Sequence, residues 1–111
     1  MTLQTLGDSG LFVSKACLGT MTFGVSHPMS SVAEQDAARI IAGFFDAGNN
    51  FIDSADIYSG GQSEEVVGRA IAGHRDEVVI STKAAAPTGP GPNNRGASRR
   101  YYPGWQMGYA A

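Results

Sequence analysis

Reactive and extreme features are scarce in this chain. It has one cysteine, two histidines and one tryptophan in 111 residues. A single thiol excludes an internal disulfide, and the neighbours Ala16 and Leu18 mark Cys17 as a small buried thiol in a strand rather than a reactive one. His27 and His74 lie beside Pro28 and Arg75 in polar, turn-rich surroundings without metal-ligand spacing, so both read as solvated loop residues and no metal is expected. Excess charge is also missing: eight basic against ten acidic side chains give a net charge of -2, which argues against a nucleic-acid surface or a membrane-steering patch. No apolar run approaches a bilayer span, and the opening MTLQTLGDSG has neither a basic start nor an apolar core, so a soluble, cytoplasmic protein is expected. No period repeats, which excludes a solenoid or propeller.

What remains is a chain of one-domain length with 42% hydrophobic residues, enough for a modest core. Two short apolar runs, Leu3 to Leu6 and Leu11 to Val13, flank Gly7, Asp8, Ser9 and Gly10 and predict a hairpin. Lys15 to Leu18 reads as a strand that ends at Gly19 and opens into a long loop reaching Ser31. Ser31 and Glu34 have capping-box spacing and predict a helix start, after which Ala37, Ile40, Ile41 and Phe44 form one apolar stripe and Gly48 closes the helix. Phe51 to Asp53 predicts a strand. Ser63, followed by Glu64 and Glu65, predicts the cap of a second helix with Val67, Ala70 and Ile71 on its apolar face and Gly73 at its end. The β-branched run Val78 to Lys83 predicts a third strand. Strands alternating with helices at these lengths imply parallel pairing through crossovers, hence an α/β fold. After Lys83 the composition turns to Ala, Pro, Gly, Asn and Arg. Residues 1–100 therefore read as the structured part and 101–111 as a divergent tail, expected to be disordered.

In a parallel sheet the C-terminal strand ends and the loops after them converge on one face, where ligands bind. Asp53 and Lys83 close two consecutive strands, and neighbouring strands lie about 5 Å apart, so an ion pair between them is reasonable. Tyr58 follows Asp53 by five residues, close enough to return over the same end. An ammonium beside a phenol favours the phenolate, which eases donation and return of a proton, and a carboxylate would hold that ammonium in place. That combination suits general acid catalysis on a carbonyl oxygen. Taken singly, each residue has a plainer reading: a helix-capping Asp, a packing Tyr, a solvated Lys. Arg95, Arg99 and Arg100 read as a solvated basic loop without a function.

The segment FIDSADIYSGGQSEEVVGRAIA, from Phe51 to Ala72, resembles the FIDTAxxY and G-x-SE signature of the aldo-keto reductase family, and VVISTK, from Val78 to Lys83, resembles that family's lysine strand. The resemblance extends to the hairpin, to LGTMTFG from Leu18 to Gly24 and to the loop GPGPNNRGASRR ending at Arg100. It implies the N-terminal third of a (β/α)8 TIM barrel: the hairpin plus about three parallel strands and two helices, where a complete barrel takes about 250 residues. It further implies NADPH-dependent reduction of an aldehyde or ketone, or the reverse oxidation, without metal. Asp53, Tyr58 and Lys83 would be the catalytic aspartate, tyrosine and lysine, with Tyr58 the proton donor. Gly19, Thr20 and Met21, together with Asp53, would approach the nicotinamide and ribose of the cofactor. The family's catalytic histidine lies on the next strand and its adenosine-phosphate segments later still, so this truncated chain is expected to be weak or inactive alone. The alternative is a noncatalytic fragment or regulatory binding subunit, such as the family's channel subunits, that self-associates or binds through an open sheet edge.

Overall fold

A computed structural model describes residues 3–101. The chain opens with the antiparallel hairpin of β1 (Leu3–Thr5) and β2 (Phe12–Ser14), in the register Leu3 to Ser14, Gln4 to Val13 and Thr5 to Phe12. Its turn is the Gly7–Gly10 segment, where Gly7 takes a φ of 59° and the Leu6 amide bonds the Leu11 carbonyl. The hairpin is sewn to the sheet by Asn50: its Oδ1 accepts from the Ser14 amide at 2.8 Å and its Nδ2 donates to the Phe12 carbonyl at 3.1 Å.

A parallel sheet of β3 (Leu18–Gly19), β4 (Phe51–Asp53) and β5 (Val79–Ser81) follows, in that spatial order. Helix α1 (Glu34–Asp46) connects the first pair of strands and α2 (Gln62–Ala70) the second. The expected α/β architecture is therefore present as an open, partial sheet, and the described residues close no barrel. The helices pack together over Ile52 of β4 in a core of Phe23, Ala37, Ile41, Ile52, Val66, Val67, Ile71 and Val78. Burying each larger aliphatic side chain there contributes about 1.5–3 kcal/mol. No helix among the described residues is long and apolar enough to cross a membrane.

Several local expectations are corrected. The paired strands are shorter than their apolar runs: β3 begins at Leu18 rather than Lys15, and β5 covers only Val79–Ser81 of the run from Val78 to Lys83. The capping box does not form. Backbone amides of Ser31 and Val32 bond the Thr22 carbonyl, which holds Ser31 away from the helix end, and Ala33 stands at the cap position without a side-chain bond. Glu34 instead spans to α2, where its carboxylate accepts from Arg69 Nε at 2.5 Å and Nη2 at 3.1 Å. In the α1 stripe Ala37 and Ile41 are buried and Phe44 half-buried, but Ile40 is 43% exposed, because the buried face runs through Ala37 and Ile41 and is flanked by Phe44 and Phe45. Ser63 does not cap α2 either; it is fully buried and faces Thr20, while Gly61 occupies the cap position with a φ of 98°. Gly48 and Gly73 do take positive φ just beyond the two helices. Residues 102–111 of the tail lie outside the described residues.

Candidate active site

The register of the sheet sets Gly19, Asp53 and Ser81 side by side at the C-terminal ends of β3, β4 and β5. Past those ends the chain stays tied across: the Ser54 amide bonds the Ser81 carbonyl at 2.8 Å and the Asp56 amide the Lys83 carbonyl at 3.0 Å. Lys83, two residues beyond the last paired position, is thereby aimed back over β4. Its Nζ donates to Asp53 Oδ2 at 2.6 Å and to the Ser54 carbonyl at 3.0 Å. The same ammonium lies 3.5 Å from the Tyr58 hydroxyl oxygen and 5.4 Å from the centroid of that ring. At 3.5 Å the contact with the phenol is more electrostatic than a formed bond. The bond from Asp53 is the main influence that pushes Lys83 above the ordinary lysine value, with Tyr58 adding to it, so the ammonium stays charged at neutral pH. Both members of the ion pair are open to solvent, with side chains 52% (Lys83) and 32% (Asp53) exposed.

The three residues singled out for catalysis are thus brought together. The neighbouring segment divides. Gly19 is exposed, and a Cβ built on it would meet nothing within 4 Å, so the space over its backbone is open. Met21 is 46% exposed. Thr20 is fully buried and its hydroxyl is used internally, donating to the Asp53 carbonyl at 3.0 Å and accepting from Ser63 at 3.0 Å. Cys17 is exposed, not buried: it sits in the unpaired stretch ahead of β3. Partial screening of the thiol, with the Asp53 carboxylate second, pushes it up, so it is not an activated thiolate. His27 and His74 are exposed, and His74 precedes β5, at the end of the sheet opposite Lys83.

Three polar residues without a predicted role, together with Ser63, predicted as a helix cap, support this site. The Ser54 carbonyl is a third anchor for Lys83. Asp56 is buried and its Oδ2 accepts from the Tyr101 hydroxyl at 2.5 Å, which ties the start of the tail to the loop before Tyr58. Ser63 donates to the Thr20 carbonyl at 2.6 Å. Ser59, next to Tyr58, donates to the Phe23 carbonyl at 2.6 Å. The run Tyr58-Ser59-Gly60-Gly61 carried a turn signal for the last of these; the others depend on contacts far apart in sequence.

The chain that carries these groups is similar to known proteins. The sequence profile described as "Aldo/keto reductase family" matches residues 15–103. A protein of Arabidopsis thaliana named as a probable voltage-gated potassium channel subunit beta is 39% identical over 105 residues, 91% of this chain and 30% of that protein. Norsolorinic acid reductase of Emericella nidulans is 43% identical over 79 residues, 68% of this chain and 20% of the reductase. In three dimensions an aldo-keto reductase from Bacillus halodurans, solved in its holo form, superposes with a TM-score of 0.68 at 33% identity, over 78% of this chain and 27% of that one. The chain spans less than a third of the length of these relatives. On profile, sequence and structure alike, it belongs to the aldo-keto reductase family.

Proposed function

We propose that these residues form the acid–base end of an NADPH-dependent reductase of aldehydes or ketones, with Tyr58 as the proton donor. The observation that carries the reading is Lys83 Nζ, held by Asp53 Oδ2 at 2.6 Å and facing the Tyr58 hydroxyl at 3.5 Å. In the reducing direction the Tyr58 hydroxyl gives its proton to the carbonyl oxygen as that oxygen gains negative charge. The Lys83 ammonium stabilises the phenolate left behind, and Asp53 together with the Ser54 carbonyl keeps the ammonium on station. NADPH, when bound, supplies the hydride to the carbonyl carbon. Gly19, Met21 and Asp53 would hold its nicotinamide end, for which the open space over the Gly19 backbone leaves room; buried Thr20 would serve by fixing the strand end rather than by touching the cofactor. The relatives named as reductases and the holo form of the structural relative support the assignment.

The test is NADPH oxidation by the purified chain with a panel of aldehydes and ketones. Turnover is expected below the usual enzyme range of about 1–1000 per second, and whatever is measured should vanish in Tyr58→Phe. Carbonyl reduction that survives that substitution would refute the role of Tyr58.

A second reading has one observation in its favour. Among the described residues β5 pairs on one side only, and a groove of about 490 Å3, lined by Val67, Ile71, Ile80, Glu64 and Thr82 among others, runs between it and α2. A noncatalytic subunit would bind through this edge. Light scattering on the purified chain would then give a defined oligomer; a monodisperse monomer counts against self-association.

A further inference from the structure

We propose that Ser59 is a positioning residue for Tyr58: its side chain holds its own backbone in the left-handed turn that sets the phenol against Lys83. The inference rests on the reading of Tyr58 as proton donor and adds the residue that places it. Between Tyr58 and α2 three successive residues take positive φ: Ser59 at 52°, Gly60 at 61° and Gly61 at 98°. The two glycines adopt this conformation freely. Ser59 has a Cβ, which disfavours the left-handed region, so something must offset that cost.

The offset comes from the loop between β3 and α1. Ser59 Oγ donates to the Phe23 carbonyl at 2.6 Å and is hydrogen-bonded to Ser30 Oγ. The Ser59 carbonyl accepts from Ser26 Oγ at 2.5 Å. From the other side the loop backbone closes on it: a Cβ on Gly24 would stand 2.7 Å from Ser59 Cβ and 2.8 Å from its Oγ. The next amide, Val25, bonds Gln62 Oε1 at 3.0 Å. Ser59 is 5% exposed, so its hydroxyl cannot meet substrate and acts only through the backbone.

The consequence for Tyr58 is geometric. The entry to its turn is fixed by the Asp56 amide on the Lys83 carbonyl and the Tyr58 amide on the Ala55 carbonyl. The exit is fixed by α2, whose Ser63 is locked to Thr20. With both ends pinned, the backbone angles at Ser59 decide the direction in which Tyr58 leaves the turn. A right-handed Ser59 would rotate Tyr58 relative to both ends and move its hydroxyl away from Lys83.

The experiment uses the whole chain with ring-13C-labelled tyrosine. The Tyr58 signal among the four tyrosines is identified by its loss in Tyr58→Phe, and its sensitivity to the ammonium by its displacement in Lys83→Met. Ser59→Ala keeps a Cβ in the left-handed region and removes the two bonds of the hydroxyl, leaving the Ser26 bond to the carbonyl; Ser59→Gly removes the same two bonds and the conformational cost as well. In Ser59→Ala the Tyr58 signal should move most of the way to its Lys83→Met position, while in Ser59→Gly it should stay near its parent position. A role in stability alone would lower the urea midpoint of both variants and leave the Tyr58 signal of the folded protein in place, which would overturn the proposal, as would equal displacement in both. If circular dichroism shows Ser59→Ala unfolded, Ser26→Ala takes its place, removing only the clamp on the Ser59 carbonyl; a partial displacement in the same direction supports the proposal and none overturns it. If Lys83→Met itself leaves the signal unmoved, the pairing of Tyr58 with Lys83 fails and the positioning role falls with it.

Discussion

Ser63→Asp separates two physical accounts of the start of α2. As a helix cap, Ser63 could be replaced by Asp at no cost, because Asp caps as well as Ser and its charge complements the helix dipole. The structure makes Ser63 a buried donor instead. It is fully buried, its Oγ donates to the Thr20 carbonyl at 2.6 Å, and Thr20 Oγ1 and Ser54 Oγ lie at 3.0 and 3.5 Å. An aspartate carboxylate there would face a carbonyl oxygen with no proton to give. A buried charge without a partner costs roughly 3–5 kcal/mol, and the dipole returns at most about 2 kcal/mol, so the variant should lose stability at neutral pH. Ser63→Ala should be milder, because the Thr20 carbonyl keeps the Phe23 amide at 3.1 Å and only the long 3.5 Å contact of Ser54 Oγ loses its partner; about 0.5–1.5 kcal/mol is expected. The sign with pH follows. Burial raises the folded-state pKa of the introduced carboxyl, so its penalty is absent below the unfolded value and grows as pH rises through the folded one; protonated, it can donate to the Thr20 carbonyl. Urea unfolding of the parent and both variants, at neutral and acidic pH, provides the comparison. An aspartate variant as stable as the parent at neutral pH would refute the buried-donor account.

Glu64→Gln should stabilise the protein. Glu64 Oε2 is buried without a hydrogen-bond partner among the described residues, and burial, partly opposed by the bond from Thr82, pushes its carboxyl above the usual 4.5. Stability from that raised value is present below 4.5 and lost as pH rises through the folded value. The gain in urea midpoint should therefore appear at neutral pH and fade in acid; a variant equally displaced at both would refute it. Asn50→Ala removes the two side-chain bonds that sew the hairpin to the sheet, a loss of about 1–3 kcal/mol at the usual value per bond. Hydrogen exchange at the Ser14 amide should accelerate, and unchanged protection there would refute the attachment.

The order of strands and helices was legible because each element repeats its signal locally: apolar stripes at helical spacing, β-branched runs, glycines after helix ends. The meeting of Asp53, Tyr58 and Lys83 was legible for the same reason, since parallel strands put their C-terminal ends on one face whatever the loops do. The capping serines were misread because a Ser two or three residues before Glu looks the same whether its hydroxyl turns to the helix end or to a strand. Ser63 turned to Thr20, 43 positions away, and Ser31 was held off by Thr22. Cys17 was misread from its residue type and its neighbours Ala16 and Leu18, which suggest a buried thiol in a strand but not where pairing of β3 begins. Asn50 and the Glu34–Arg69 pair gave no local signal, and Ser59 none beyond its turn, because their partners lie at least 29 residues away.

Exposure sets how strongly the assembled groups can act on one another. Two opposite charges 4 Å apart interact by about 1 kcal/mol in bulk water and by about 4 kcal/mol at the effective dielectric typical of pairs near a protein surface. Lys83 and Asp53, 52% and 32% exposed, lie toward the watery limit. The same charges under a cover that excludes water would attract each other more strongly. The geometry of the site is therefore fixed by short bonds within the described residues, whereas its strength depends on what lies over Lys83. For that reason the positioning of Tyr58 and the rate of carbonyl reduction are separable measurements, and the first can stand where the second is small.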